Sequence, residues 1–472
     1  MPPRATPAAF LESARSAIGT RHVLTDPDVT ASYAVDWTHR WRGTCPAVVR
    51  PGTTDEVASL VAAARRHGVA LVPQGGNTGL VGGGVPLAGE VVVSSARLDQ
   101  LGEVDRLAGQ VTAGAGVTLA TLQRRAAGAG LSFGVDLGAR DLATVGGMVA
   151  TNAGGLHVVR HGAMRAQVVG IEAVLGTGDV VSRLGGLVKD NTGYDLAQLL
   201  CGSEGTLGIV TAARLRLVPA FSEVVVSLLA TSTVHDTVAL AAHLRASVPG
   251  LQALELMVGD SLRLVVDHLG AGWAVPPDAG AYLLVEAGGR DDPTPALAAA
   301  VEEAEAVAGV TVTGAAVATE RRDRERLWAL REAHPEAAAA LGVVHKLDVT
   351  LPSSRIAPFC AAVRALVGER WPTAHLLLYG HVGDGNVHVN VVGPPGDEPA
   401  VDDAVLGLVV EAGGSISAEH GIGRAKRDWL ARDRSPAEVA AMRAVKRALD
   451  PDGVLNPHAL LPPVPTGDAR PV

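Results

Sequence analysis

Two apolar runs, Leu376 to Val382 and Val387 to Val392, flank the dipeptide Asp384-Gly385. Apolar segments joined by such a pair predict a β-hairpin. With Asp384 and Gly385 as the turn, 383 faces 386, 382 faces 387, and His381 lies opposite His388. Opposed residues share a face, with Cβ atoms about 4.5–5.5 Å apart, so two imidazoles can converge on one divalent cation. Asn390 follows His388 by two and points to the same side.

The first half of the chain alternates strand and helix patterns. Ala47-Val48-Val49 reads as a short strand, and Thr53-Thr54-Asp55-Glu56 opens a helix over Val57 to His67 that ends near Gly68. Further strands are predicted at 69–72, 90–94, 110–113, 168–175 and 209–217, with a helix over 118–127. After Phe221 the rhythm changes. Strands at 224–230, 281–286, 345–351 and 375–392 are interleaved with helices at 236–246, 295–308 and 320–331, an order that predicts an antiparallel sheet with helices on one face. The fold class is α+β. The expected division is 1–220, 221–414 and a final segment, 415–472, that contains a helix near 436–449 and returns to the first part.

At 472 residues, 47% hydrophobic and 19% charged, the chain has the composition of a globular protein of two or three domains. The net charge of −9 and the lack of a basic block argue against nucleic acid as the main partner. No apolar run approaches the roughly 18 residues of a membrane span. No secretory signal is evident at the N-terminus. Arg4, Ser13, Arg15 and Ser16 would suit a transit peptide, but a first helix over Pro7 to Ile18 accounts for the same residues. The expected location is the cytoplasm, with peripheral attachment to the inner face of a membrane as a variant. Three scattered cysteines, Cys45, Cys201 and Cys360, form no CxxC pair; they predict buried, inert thiols in a reducing compartment.

Pro73-Gln74-Gly75-Gly76-Asn77-Thr78-Gly79-Leu80 and the glycines at 82–84 follow a predicted strand. Successive backbone N–H groups without side chains make a concave anion site suited to a pyrophosphate; a flexible turn is the plainer reading. The run has no Gly-Lys-Ser/Thr, so it is not a Walker loop. Two more glycine-rich blocks, Gly146–Gly155 and Cys201–Val210, either pack tightly or approach a flat, phosphate-bearing ligand. In Ser417-Ala418-Glu419-His420-Gly421, Glu419 could complete a two-His, one-carboxylate metal set with His381 and His388, and His420 could be a general base. An exposed Glu beside a capping His is the alternative. Arg331 could grip a carboxylate, with Lys346 as a second cation; surface solvation is the usual fate of such residues.

The blocks PQGGNTGLVGG (73–83), DLGARDLATVGGMVATNAGG (136–155), RHGAMRAQVVGIEAVL (160–175), KDNTGYDLAQLLCGSEGTLGIV (189–210), GHVGDGNVHVN (380–390), SAEHGIG (417–423) and DPDGVLNP (450–457) carry a resemblance. Over nearly its whole length the chain resembles the flavoprotein superfamily of vanillyl-alcohol oxidase and p-cresol methylhydroxylase. Within it, the chain is similar to the FAD-dependent D-2-hydroxyacid dehydrogenase branch, which acts on D-2-hydroxyglutarate, D-lactate or glycolate. The resemblance implies a two-subdomain FAD-binding unit of the p-cresol methylhydroxylase type under an antiparallel-sheet substrate-capping domain. It implies non-covalent FAD with its pyrophosphate on Gly75, Gly76, Asn77 and Thr78, Asn152 and Ala153 by the ring, and Gly205, Gly208 and Ile209 bordering the adenosine and ring. Pro73, Gly79, Leu80, Asp136, Gly146, Gly147, Gly154 and Asn456 complete that set. It further implies a divalent metal, usually zinc, on His381, His388 and Glu419; substrate on Arg331, Lys346 and Asn390; and His420 as the base in hydride transfer to flavin N5. Electrons would pass on to a quinone or an electron-transfer flavoprotein, and related enzymes are often homodimers.

One position departs from the pattern. Where members acting on 2-hydroxyglutarate tend to carry a hydroxyl residue one turn after the arginine, this chain has Pro335, which removes a donor and tends to end a helix. Two readings from other classes remain: a metal-dependent hydrolase built on His381, His388 and Glu419, and a nucleotide-binding module without catalysis.

Overall fold

The computed structural model describes residues 8–395 and 398–463; Arg4 and Pro7 of the N-terminal expectation lie outside them. The chain forms two compact units. The first takes the chain up to Gly154, then Gly162–Ala220, and the chain from Glu419 onward. The second takes Gly155–His161 and Phe221–Ala418.

The first unit holds two sheets. In one, β1 (Val23–Leu24), β2 (Val48–Val49), β3 (Leu71–Gln74) and β4 (Val91–Ser94) run in the order β1-β2-β4-β3. The β2–β4 and β3–β4 pairs are parallel. The connecting helix Thr54–His67 begins where the Thr53 side chain accepts from Glu56 N–H and stops at Gly68, whose φ is 62°. It buries Val57, Leu60 and Val61 against Leu71, Val91 and Val93, each such side chain contributing about 1.5–3 kcal/mol on leaving water. The second sheet, antiparallel, comprises β5 (Gln110–Gly114), β6 (Leu131–Phe133), β7 (Val168–Leu175), β8 (Val180–Arg183) and β9 (Gly208–Pro219) in the order β5-β9-β7-β8, with β6 on β9. The late chain joins this unit: Leu71 N–H donates to Val454 O and Asn456 N–H to Leu71 O, both at 2.8 Å.

The second unit is built on a seven-stranded sheet of β10 (Glu223–Thr231), β11 (Leu251–Val258), β12 (Ala281–Gly289), β13 (Val312–Ala318), β14 (Val344–Thr350), β15 (His375–Gly380) and β16 (Asn386–Val392). The order is β13-β10-β12-β11-β15-β16-β14, antiparallel throughout. The helices Gly259–Leu269, Arg321–Glu332 and His334–Leu341 pack on the face bearing Val226, Leu228, Tyr282, Leu284 and Leu377. The expectation of helices on one face only is corrected here. On β12, Leu283, Val285 and Ala287 alternate with that set and are also fully buried, and the helix Val234–Ser247 lies against β10, β11 and β12. The unbroken apolar run from Ala281 to Val285 is the pattern of a strand covered on both faces.

The hairpin also forms with a different register. Tyr379, not His381, lies opposite His388, and the connection is five residues long rather than two. His381 O accepts from both Asp384 N–H (3.2 Å) and Asn386 N–H (3.1 Å), while Asp384 Oδ1 also accepts from Asn386 N–H (3.2 Å). A polar loop thus replaces the tight turn. The pairing is displaced by an even number of residues, so the side-chain alternation is kept and His381 stays on the face of His388.

Candidate functional site

In the first unit the three glycine-rich blocks meet. Pro73 and Gln74 end β3, and the chain turns through Gly75 to Leu80, with Asn77 at φ 54° and its amide donating to Val35 O (2.7 Å). A Cβ on Gly76 would overlap the backbone carbonyl of Leu142, so only glycine lets these two loops touch; at Gly79 the same position faces open space. Gly146 and Gly147 sit in the short helix Val145–Thr151, which Asn152 closes at φ 52°. Asn152 Oδ1 accepts from Arg165 N–H (2.9 Å), and Ala153 O from Met164 N–H (2.9 Å), just before Gly154.

Other predicted contact residues have their side chains committed elsewhere. Asp136 receives Arg140 through both oxygens (2.5 and 2.8 Å) and Gln123 (3.0 Å). Ile209 is 4% exposed in the core, and Gly208 opens β9 beside Val174. Asn456 donates from Nδ2 to Gly83 O (2.9 Å) and Glu204 O (2.8 Å), tying the first block to the third, while Glu204 N–H donates to Ala150 O in the second (2.8 Å). Gly205 follows at φ 69° with Pro73 beside it.

In the second unit a row of polar side chains crosses the sheet. Glu255 on β11 is fully buried. It accepts Arg331 Nε–H and lies against His381 Nδ1, each at 2.7 Å. Burial works to raise its pKa, yet the charges and hydrogen bonds of His381 and Arg331 hold it below the ordinary carboxylate value. A carboxylate at Nδ1 takes the N–H there and places the ring's lone pair on Nε2, the tautomer suited to metal binding. The His381 and His388 rings stand 5.4 Å apart, edge to face. Tyr379 lies between Arg331 and His388, with the guanidinium 4.8 Å from its ring centre and the imidazole at 5.0 Å. Its hydroxyl accepts from Asn390 Nδ2 (3.1 Å).

On β14, Asp348 pairs with His388 and Lys346 with Asn390 across the ladder. Asp348 is fully buried, accepts from Asn386 Nδ2 (2.6 Å) and lies 3.5 Å from His388 Nδ1. Burial pulls the Lys346 ammonium below its ordinary pKa. Arg331 lies in the last turn of the helix Arg321–Glu332, and Pro335 in the first turn of the next, His334–Leu341. Buried His334 bonds through Nδ1 to Arg331 O (3.1 Å) and stacks at 4.3 Å on Tyr379.

Ala418 N–H donates to Asp348 O (3.3 Å), and Glu419 is the next residue. Of the expected metal set, His381 and His388 stand together in the second unit, while Glu419 begins the last stretch of the first. Glu255 and Asp348 went unread in the sequence. The signal for Glu255 was a lone carboxylate inside the apolar run Leu251-Gln252-Ala253-Leu254-Glu255-Leu256-Met257-Val258, since a charge at a core position needs a partner.

The model of the FAD binding domain matches residues 45–183, and that of FAD linked oxidases, C-terminal domain, matches 221–460, half of the chain. The chain belongs to the FAD-linked oxidases. It is an FAD-dependent oxidoreductase. It is 37% identical to the mitochondrial D-2-hydroxyglutarate dehydrogenase of Bos taurus over 93% of this chain and 81% of that one. To D-2-hydroxyglutarate dehydrogenase of Xanthomonas citri pv. viticola it is 36% identical, over 95% and 96%. A crystal structure of p-cresol methylhydroxylase with substrate bound shares the fold at a TM-score of 0.77 and 15% identity, over 98% of both chains. Among the described residues no helix of this FAD-linked oxidase is long and apolar enough to cross a membrane.

Proposed function

We propose that this FAD-linked oxidase converts D-2-hydroxyglutarate, or a D-2-hydroxyacid of like chemistry such as D-lactate, to the 2-oxoacid, with His420 as base and a divalent cation, zinc first, as electrophile. The names of the relatives support the reaction class over the hydrolase reading. One observation carries the residue assignment: Glu255 holds a guanidinium and an imidazole from a single buried carboxylate.

Bound FAD supplies the hydride acceptor at N5, and a cation on His381, His388 and Glu419 supplies Lewis acidity towards the alcohol. The residues do the rest. Arg331, with Nε on Glu255, offers its η nitrogens to the substrate carboxylate as a fixed fork. Lys346 adds a second positive charge, and Asn390, its amide N–H on Tyr379, turns its carbonyl oxygen to the hydroxyl. His420 takes the hydroxyl proton at a ring nitrogen, so the C–O bond becomes C=O without accumulating positive charge. Pro335 provides no hydroxyl for a distal carboxylate, and buried His334 stands beside it, so either a second carboxylate is gripped differently from the family pattern or the substrate lacks one. A quinone or an electron-transfer flavoprotein would be the final electron acceptor. A homodimer in the cytoplasm completes the proposal.

The test is anaerobic mixing of the yellow holoenzyme with D-2-hydroxyglutarate, D-lactate and other D-2-hydroxyacids, with and without chelator. Bleaching of the flavin by a D-acid, slowed by chelation, is expected. A flavin that no D-2-hydroxyacid reduces overturns the reading, and reduction indifferent to chelation removes the cation from it.

A further inference from the structure

We propose that Glu204 is a positioning residue for His420, clamping the loop that carries the imidazole to the glycine-rich blocks of the first unit. The inference rests on His420 acting as the base. Its two carboxyl oxygens each accept one backbone N–H just beyond that residue, from Ile422 and from Gly423, both at 2.7 Å. Hydrogen bonds to a carboxylate are shorter and roughly twice as strong as neutral ones, and here two converge on adjacent peptide groups, which fixes orientation as well as distance.

The surroundings leave the loop little freedom. Gly421, between His420 and the clamped amides, has φ 83°, and a Cβ there would come within 2.9 Å of Glu204 Oε1. Val81 O accepts from Arg424 N–H (2.8 Å), and Leu460 N–H donates to Gly423 O (2.9 Å). Glu204 is itself held hard. Its φ is 52°, a left-handed conformation uncommon outside glycine, maintained by the bonds of its N–H to Ala150 O and of its O to Asn456 Nδ2. A strained backbone carrying a half-buried carboxylate is an arrangement that persists where the surrounding structure over-determines it. The side chain thus transmits the position of the glycine-rich blocks to the residue after the base. Both of its oxygens are taken up by the Ile422 and Gly423 amides, so its role is to place, not to react.

The experiment uses the holoenzyme and the single-turnover rate of flavin bleaching by D-2-hydroxyglutarate, or by D-lactate if that is the acid that reduces it. The variants are Glu204→Ala, Glu204→Gln, His420→Ala and the double variant Glu204→Ala/His420→Ala, with flavin absorbance confirming retained FAD. Glu204→Ala is expected to lower the limiting bleaching rate at least tenfold while the half-saturating acid concentration moves less than twofold. Glu204→Gln, which keeps one acceptor oxygen, should fall between. The double variant should bleach no slower than His420→Ala, because a residue acting through another adds nothing once that other is gone. A multiplied loss in the double variant overturns the proposal. Amide exchange at Ile422 and Gly423 separates the two readings: faster exchange in Glu204→Ala with a normal rate for His420→Ala refutes the base while leaving the clamp, and unchanged exchange refutes the clamp. If Glu204→Ala loses its flavin, the Glu204→Gln rate and exchange decide alone.

Discussion

Glu255 and Arg331 form a buried ion pair, Oε2 to Nε at 2.7 Å, with side-chain exposures of 1% and 6%. Removing one member of such a pair leaves a charge without a partner in a poorly solvated place, a loss of about 3–5 kcal/mol. Glu255→Ala is therefore expected to lower the thermal midpoint and to weaken acid binding together, since Arg331 loses the contact that aims it. Thermal denaturation and the half-saturating acid concentration measure the two effects. A variant with native stability and unaltered binding would show that the pair does neither job.

Arg331→Ala separates these contributions. It removes the proposed carboxylate fork while His381 still faces Glu255. Loss of a desolvated charged contact costs on the order of 2–5 kcal/mol, so the acid should bind far more weakly while FAD is kept. An unchanged half-saturation constant would remove Arg331 from the binding site.

His388 lies 3.5 Å from Asp348 and is one of the proposed ligands of the divalent cation. His388→Ala should retain the flavin spectrum yet lose bound divalent metal on elemental analysis, with most turnover lost alongside. Full metal occupancy in the variant would exclude His388 as a ligand.

Much of this was legible from residues alone, for physical reasons. The helix Thr54–His67 announces itself by Thr53, an acidic first turn and Gly68, and the hairpin strands by apolar runs. The register was not legible, because Asp384-Gly385 signals a turn locally while the bonds to His381 O that lengthen the loop depend on the folded backbone. Strand β11 and the helices Gly259–Leu269 and Ser353–Arg370 were not read at all. Of the site, the imidazoles and Arg331 could be suspected from their motifs, whereas Glu255 acquires meaning only when β11 is laid beside β15. Pairing across a sheet is tertiary information.

Burial pushes the thiols of Cys45 and Cys201 up to about 11 and that of Cys360 to about 12. The thiolate is the reactive form, so all three cysteines should resist a thiol reagent at pH 8 in the native protein and react once it is unfolded. Rapid labelling of the native protein would contradict this burial.

His334 sets an acid limit on the second unit. Burial, then the nearby Arg331 charge, lowers its pKa from 6.5 to about 3. Below pH 6.5 the unfolded chain takes up a proton that the folded one refuses, so stability is full above that value and declines as the pH falls towards 3, where the folded state also titrates. At about 1.4 kcal/mol per pH unit, moving from pH 6.5 to about pH 5 should remove roughly 2 kcal/mol through this residue. His334→Phe keeps an aromatic ring against Tyr379, 4.3 Å away in the parent, and cannot take a proton. Denaturant midpoints between pH 7 and 5 should therefore fall less steeply in His334→Phe than in the parent; parallel slopes would mean that His334 is already charged when folded, or that its burial does not persist in solution.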